Sequence, residues 1–150
     1  MVWGGIFSLG KTKLFVMDEK VNSLVYTQIL GDYLLPFANA TYGDDFIFQQ
    51  DNCSVHKSRD TKQYLQEEGV EVLEWPSKSP DLNPIENLWG ILVRMVYNDG
   101  KKRYKNKAEL REALILNWSK IRLSTVHKLV STMPDRCMEI IERKGWKIHY

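Results

Sequence analysis

The opening stretch MVWGGIFSLGKTKLFVMD (1–18) sets two apolar runs around a Ser-Leu-Gly-Lys turn, which predicts a β-hairpin. From Asn22 the period changes. Tyr26, Ile29, Leu30, Tyr33, Leu34 and Phe37 recur at helical spacing, with Asn22 or Ser23 as the cap and Pro36 near the end. A polar loop, NATYGDD (39–45), then leads into FIFQQDN (46–52), a short apolar-aromatic strand that turns abruptly polar. SRDTKQYLQEEG (58–69) predicts a helix closed by Gly69, and VEVLEWP (70–76) a buried strand stopped by Pro76. SPDLNPIENLWG (79–90) uses two prolines to launch one short helix, with Asn83 as cap and Pro84 at its first position. Beyond it the pattern is helical. Asn106 and Glu109 form a capping box for a helix carrying Leu110, Ala113, Leu114, Trp118 and Ile121. Two shorter helices follow, one from Ser124 and one over 134–143, with Gly145 closing the last.

Strands alternating with helices predict an α/β architecture with helices on the faces of a sheet. At 150 residues the chain has the size of one domain, and its 43% hydrophobic and 27% charged residues are ordinary for a globular protein. No apolar run approaches the roughly 20 residues of a membrane helix, so no membrane partner is expected. Cys53 and Cys137 lie far apart, outside any Cys-x-x-Cys pattern, which argues against a structural zinc site. Trp3, Trp75, Trp89 and Trp118 read as core residues. The net charge of +2 says little, but Lys101, Lys102, Arg103 and Lys105 crowd one short segment. Such a run suits DNA phosphates and also resembles a short nuclear-import signal; a solvated basic loop is the plain alternative.

Candidate chemistry centres on two carboxylates. Asp51 stands at the C-terminal end of a predicted strand, where open α/β sheets bind their ligands, although an acid there also serves as a turn former. Glu86 falls at the third helical position after Asn83, so a capping box would explain it without catalysis.

Taken together, FQQDN and SPDLNPIENLWG resemble the catalytic domain of mariner-like (Tc-type) DNA transposases, of the DDE transposase/integrase superfamily. In that family the second catalytic carboxylate lies in a Gln-Asp-Asn sequence. The third follows at a set spacing, in Asn-Pro-Ile-Glu-Asn-Leu-Trp. Here positions 52 to 85 separate Asp51 from Glu86, which is the family's spacing. MVWGGI, DNCSVH, WPSKSPDLNP and STMPDRCMEIIERKG also look like family segments in family order. The resemblance implies a ribonuclease H-like mixed sheet with flanking helices and C-terminal helices. It implies Asp51 and Glu86 as catalytic metal ligands for Mg²⁺, or Mn²⁺, two ions in the complete site. His56 matches a family histidine and is a candidate supporting neighbour, with a loop histidine bonding the backbone as the alternative. Asn52 and Asn87 flank the carboxylates as candidate supporting donors, with simple turn and helix-surface roles as the alternative. Lys101, Lys102, Arg103 and Lys105 are the candidate DNA contacts by their charge. The resemblance further implies DNA as partner, both element ends and target, paired subunits and a nuclear location.

The same resemblance places the first aspartate of the triad on a strand preceding MVWGG, so two of the three carboxylates are expected here. Asp18 and Glu19 at the far end of the second strand, Asp44 and Asp45 in the approach loop, and Asp81 offer no good substitute. Residues 1–150 are therefore expected to be one catalytic domain shortened at its start, without the first, central strand and without the family's N-terminal DNA-binding domain. This stretch by itself is expected to be inactive in strand cleavage and joining. A non-catalytic nucleic-acid-binding or host-adopted remnant is the alternative, and whether the chain is an enzyme stays open at this point.

Overall fold

The computed structural model describes residues 1–18, 20–148 and 150; Glu19, expected near the far end of the second strand, lies outside the described residues. The chain divides into two units, Met1–Gly4 with Phe15–Lys78, and Gly5–Leu14 with Ser79–Tyr150.

The opening hairpin contributes to both. In the first unit, β1 (Val2–Trp3) pairs antiparallel with β4 (Phe15–Val16), Val2 opposite Val16. In the second unit, β2 (Ile6–Phe7) pairs with β3 (Gly10–Lys11), Phe7 opposite Gly10. The paired residue numbers sum to 18 in the first ladder and 17 in the second, so the second arm carries one extra residue between them. Thr12 shows how the tip is held beside that extra residue. Its backbone N–H donates to the Gly5 carbonyl at 2.9 Å, and its hydroxyl accepts from the Gly5 N–H at 2.9 Å.

The rest of the first unit is helical with one parallel strand pair. Asn22 caps α1 (Ser23–Ile29), its side chain accepting from the Val25 N–H as the sequence predicts. Pro36 does not end this helix. A π-helical segment, Leu30–Leu34, leads into α2 (Leu35–Tyr42), which runs through the expected loop to Gly43 at φ +60°. The wider turn explains the difference: the Leu35 N–H reaches back five residues to the Leu30 carbonyl. Pro36 thereby falls in the first turn of a new helix, where a missing N–H costs little. Gly31 lets Tyr64 approach the segment closely, because a Cβ there would meet the Tyr64 hydroxyl at 2.8 Å and push the ring aside. Trp3 and Phe15 pack on Tyr33, with ring centroids 6.4 and 5.1 Å apart.

β5 (Ile47–Phe48) pairs in parallel with β6 (Glu71–Val72), and α3 (Arg59–Glu67) connects them as a crossover. Ser58 caps α3 and Gly69 at φ +67° closes it. β6 is not the buried strand expected: Glu71, Val72 and Leu73 are exposed, because among the described residues β5 is its one strand partner. The strand pairs of the described residues form three separate two-stranded ladders rather than one sheet. The core of this unit is Tyr26, Ile29, Leu30, Leu34, Leu35, Ala38, Phe48 and Leu65.

In the second unit a 3₁₀ turn, Pro80–Leu82, precedes α4 (Pro84–Tyr97), which at 14 residues is longer than the short helix expected. Its buried stripe, Leu88, Leu92 and Val96, recurs every four residues and sustains it. α5 (Lys107–Lys120) starts at Asn106, whose side chain accepts from the Glu109 N–H at 2.9 Å; Glu109 returns to the Lys105 N–H at 3.0 Å. α6 (Leu123–Val130) packs on β2 and β3, and α7 (Met133–Glu142) on the 3₁₀ turn, with Gly145 at φ +84° beyond it. Of the tryptophans expected in the core, Trp118 is buried, whereas Trp3, Trp75 and Trp89 are partly exposed. No helix among the described residues is long and apolar enough to cross a membrane.

Candidate active site

Asp51 lies three residues past β5, and its side chain is 59% exposed. Oδ1 accepts from the Cys53 backbone N–H at 3.0 Å, a side-chain turn that fixes the carboxylate against its own loop. The same oxygen lies 2.7 Å from His56 Nδ1, and that nitrogen is 3.3 Å from the Asp51 carbonyl oxygen. Both anchors fall on Oδ1, and Oδ2 takes no hydrogen bond among the described residues. A neutral imidazole that donates from Nδ1 presents Nε2 as an acceptor.

His56 is held on its other side by Tyr26, stacked at 4.3 Å with an interplanar angle of 28°. Burial pushes the Tyr26 phenol well above its ordinary pKa, and Asp51 and Cys53 act in the same direction, against a bond with Trp3. Tyr26 therefore keeps its proton, and its hydroxyl donates to Gln50 Oε1 at 2.8 Å. Sequence reasoning placed Tyr26 on the core stripe of α1 and missed this second role. The signal for it was the phenol, an unusual group to bury without a partner. Asn52 Nδ2 donates to the Trp75 carbonyl at 2.7 Å and to Ser77 Oγ at 3.1 Å, tying the end of this strand to the segment after β6.

Glu86 sits in the first turn of α4 with its side chain exposed. Its backbone N–H bonds the Asn83 carbonyl at 3.1 Å, but its carboxylate does not close a capping box. The reason is local. The Asn83 N–H is already satisfied by the Pro80 carbonyl at 3.1 Å across the 3₁₀ turn, and the Asn83 side chain makes no cap bond to the first turn. The helix starts without Glu86, whose carboxylate takes no hydrogen bond or ion pair among the described residues. Next to it, Asn87 Oδ1 accepts from Arg136 Nη2 at 2.8 Å.

Among the described residues no three His, Cys, Asp or Glu side chains gather as a metal cluster. The donors still suit Mg²⁺. It is a hard ion that retains several waters and is bound through one or two carboxylates together with substrate phosphates. Asp51 and Glu86 each present an exposed carboxylate with an oxygen not engaged by the protein, which is what such an ion uses.

Lys101, Lys102, Arg103 and Lys105 are all exposed in the connection between α4 and α5. Asn98, Asp99 and Gly100 all take positive φ, a tight reversal that the Lys102 N–H closes on the Tyr97 carbonyl at 2.9 Å. Lys102 Nζ sits 5.1 Å from the centroid of Tyr104, whose hydroxyl donates to the Val96 carbonyl at 2.6 Å. A groove of about 550 Å³ lies here, lined by Tyr97, Tyr104 and Leu110 with Lys102, Arg103 and Lys107.

A family model described as DDE superfamily endonuclease matches residues 2–111. The Tc3 transposase of Caenorhabditis elegans is 40% identical over 150 residues, covering 100% of this chain and 45% of that protein. The Tcb2 transposase of Caenorhabditis briggsae is 36% identical, covering 100% of this chain and 54% of that protein. The chain spans about half the length of the curated relatives it matches. Among solved structures, the Mos1 transposase catalytic domain with raltegravir and Mn superposes with TM-score 0.77 at 21% identity, over 99% of this chain and 84% of that one. A pre-cleavage Mos1 transpososome superposes with TM-score 0.82 at 18% identity, over 95% and 43%. At these identities the likeness establishes the fold, which is the α/β, ribonuclease H-like fold of the Mos1 catalytic domain.

Proposed function

Since this chain belongs to the DDE superfamily endonuclease family, we propose that it works in a mariner-like transposase, cutting DNA strands and joining freed 3′-hydroxyls to new DNA. The observation that carries this is Glu86. Its carboxylate is not used to start its own helix, yet it occupies the family's third acidic position, at the family's spacing beyond Asp51. Divalent cations, when bound, would activate the attacking oxygen and stabilise the leaving alkoxide. Mg²⁺ is the proposed ion, with Mn²⁺ as substitute; Mos1 structures have been solved with each.

The chain's own groups have separable tasks on this reading. Asp51 and Glu86 supply anchoring carboxylates. His56 holds Asp51 through Oδ1, leaving Oδ2 without a hydrogen bond among the described residues, and Tyr26 supports the imidazole by stacking. Asn52 fixes the loop that carries Asp51. The proposed substrate is duplex DNA, at element ends and target, handled by paired subunits in the nucleus. Mos1 has been solved as a paired-end complex, and the basic run fits import as well as phosphate binding.

The test is incubation of the protein carrying this chain with end-bearing duplex and Mg²⁺ or Mn²⁺. The expected products are a nicked strand and a joined strand. Nicks without joined product would point to a nuclease of the same fold, and DNA binding with neither product to a non-catalytic remnant.

A second expectation concerns the basic loop. Replacing Lys101, Lys102, Arg103 and Lys105 with alanine is expected to weaken binding to any duplex sequence. The salt slope of log K should fall by about 0.9 for each phosphate that is no longer neutralised. Fluorescence anisotropy across a salt series measures it. An unchanged slope would leave the loop as solvated surface.

A further inference from the structure

Resting on the reading of Glu86 as a metal anchor, we propose that Arg136 is a positioning residue for Glu86. It would hold the start of α4 from the C-terminal helix through the Asp81 carbonyl and the Asn87 side chain. Arg136 is 1% exposed on α7. All three of its guanidinium nitrogens are used: Nη1 donates to the Asp81 carbonyl at 2.6 Å, Nη2 to Asn87 Oδ1 at 2.8 Å, and Nε to Thr132 Oγ1 at 2.8 Å. The Tyr150 ring lies 4.4 Å from the guanidinium carbon. Asp81 is held from its other side, its carboxylate accepting from the Ile148 N–H at 3.0 Å and the Leu82 N–H at 3.2 Å.

The two grips bracket Glu86. One falls on the 3₁₀ turn five residues before it, the other on the residue immediately after it. Successive residues on a helix point about 100° apart, so engaging Asn87 sets the rotation of the first turn while Glu86 stays outward. The acceptors on Arg136 are a backbone carbonyl, an amide oxygen and a hydroxyl, with no carboxylate hydrogen-bonded to the guanidinium among the described residues. Burying a cation against neutral acceptors is a poor source of stability compared with apolar packing, whereas a planar fork with three fixed directions is a good source of geometry.

The test uses the full protein, with Mn²⁺ as probe, followed by the electron paramagnetic resonance of the free ion, and unfolding followed by circular dichroism. Asn87→Ala keeps the Asp81 and Thr132 bonds of Arg136; Arg136→Lys keeps the charge but loses the fork. Both are expected to weaken Mn²⁺ binding by about tenfold while unfolding stays cooperative, as supporting partners of metal ligands do. Arg143→Ala, an exposed change on the same C-terminal segment, should leave binding unaltered. In a Glu86→Gln background neither change should weaken binding further, because both act through Glu86. Wild-type affinity in Asn87→Ala, or an equal loss with and without Glu86, would overturn the proposal. If Arg136→Lys fails to fold, Asn87→Ala decides alone. Should Glu86→Gln itself leave Mn²⁺ binding unchanged, the metal-anchor reading falls, and this inference with it.

Discussion

Asp51→Asn is expected to lower metal-dependent DNA strand cleavage by at least about a thousandfold, some 4 kcal/mol at the transition state. The substitution is informative because little else changes. Asparagine retains an oxygen at the position of Oδ1, so the turn to the Cys53 N–H and the bond with His56 Nδ1 both persist. The backbone should keep its course, and circular dichroism should match the unsubstituted protein. What disappears is the negative charge that, on the proposed reading, anchors a divalent cation. The DNA binding proposed for the basic loop should be unaffected, so affinity and turnover separate in one variant. Cleavage that survives in Asp51→Asn would remove Asp51 from the metal site and leave the turn as its whole role.

His56→Ala sharpens the same point. Oδ1 would keep the Cys53 N–H but lose the imidazole, and the carboxylate would be oriented by one bond rather than two. A loss of roughly ten- to a hundredfold suits a group that orients a ligand without being one. A loss as deep as that of Asp51→Asn would instead assign His56 a direct part.

The order of strands and helices was legible in the chain because switches of period coincided with a cap or a breaker, as at Asn22, Gly69 and Asn106. The candidate carboxylates were legible from motif and spacing. What the sequence hid was where local rules met a competing partner. Pro36 looks like a stop signal, and only the i−5 bond of Leu35 reveals that the helix opens a wider turn to pass it. Glu86 looks like a capping residue, and only the Pro80 carbonyl, already bonded to the Asn83 N–H, frees it. Asn87 reads as a neighbour of the site, yet its side-chain oxygen is turned to Arg136, which a scan for exposed chemistry passes over. The available hint was spacing. Arg136 lies three residues after Met133 and four before Ile140, on the side of α7 that an arginine occupies only when something receives it.

The largest expected effect on stability belongs to Trp118→Ala. The side chain is 3% exposed on α5 and stacks on Trp89 at 5.3 Å, so truncation leaves a large void, costing about 3–5 kcal/mol. A second cost is added. Trp118 Nε1 donates to the Thr12 carbonyl at 2.8 Å, a buried bond between residues 106 apart in sequence. Losing it strands that carbonyl, at about 1–3 kcal/mol. Thr12 also fastens the hairpin tip to Gly5, and Lys11 Nζ reaches the Ile121 carbonyl at 2.8 Å, so the Trp118 bond is one of the ties that join the tip to the C-terminal helices. Against the roughly 5–15 kcal/mol typical of a folded domain, the combined loss would consume much of the margin. Urea unfolding followed by far-UV circular dichroism measures it, with Trp118→Phe as the companion. Phenylalanine fills most of the space and lacks the donor, so it should cost about 1–3 kcal/mol, the share of the hydrogen bond alone. If the two variants lose equal stability, the bond to Thr12 dominates and the volume matters little. If Trp118→Ala costs less than about 1 kcal/mol, α5 does not hold the hairpin tip in the way its packing indicates.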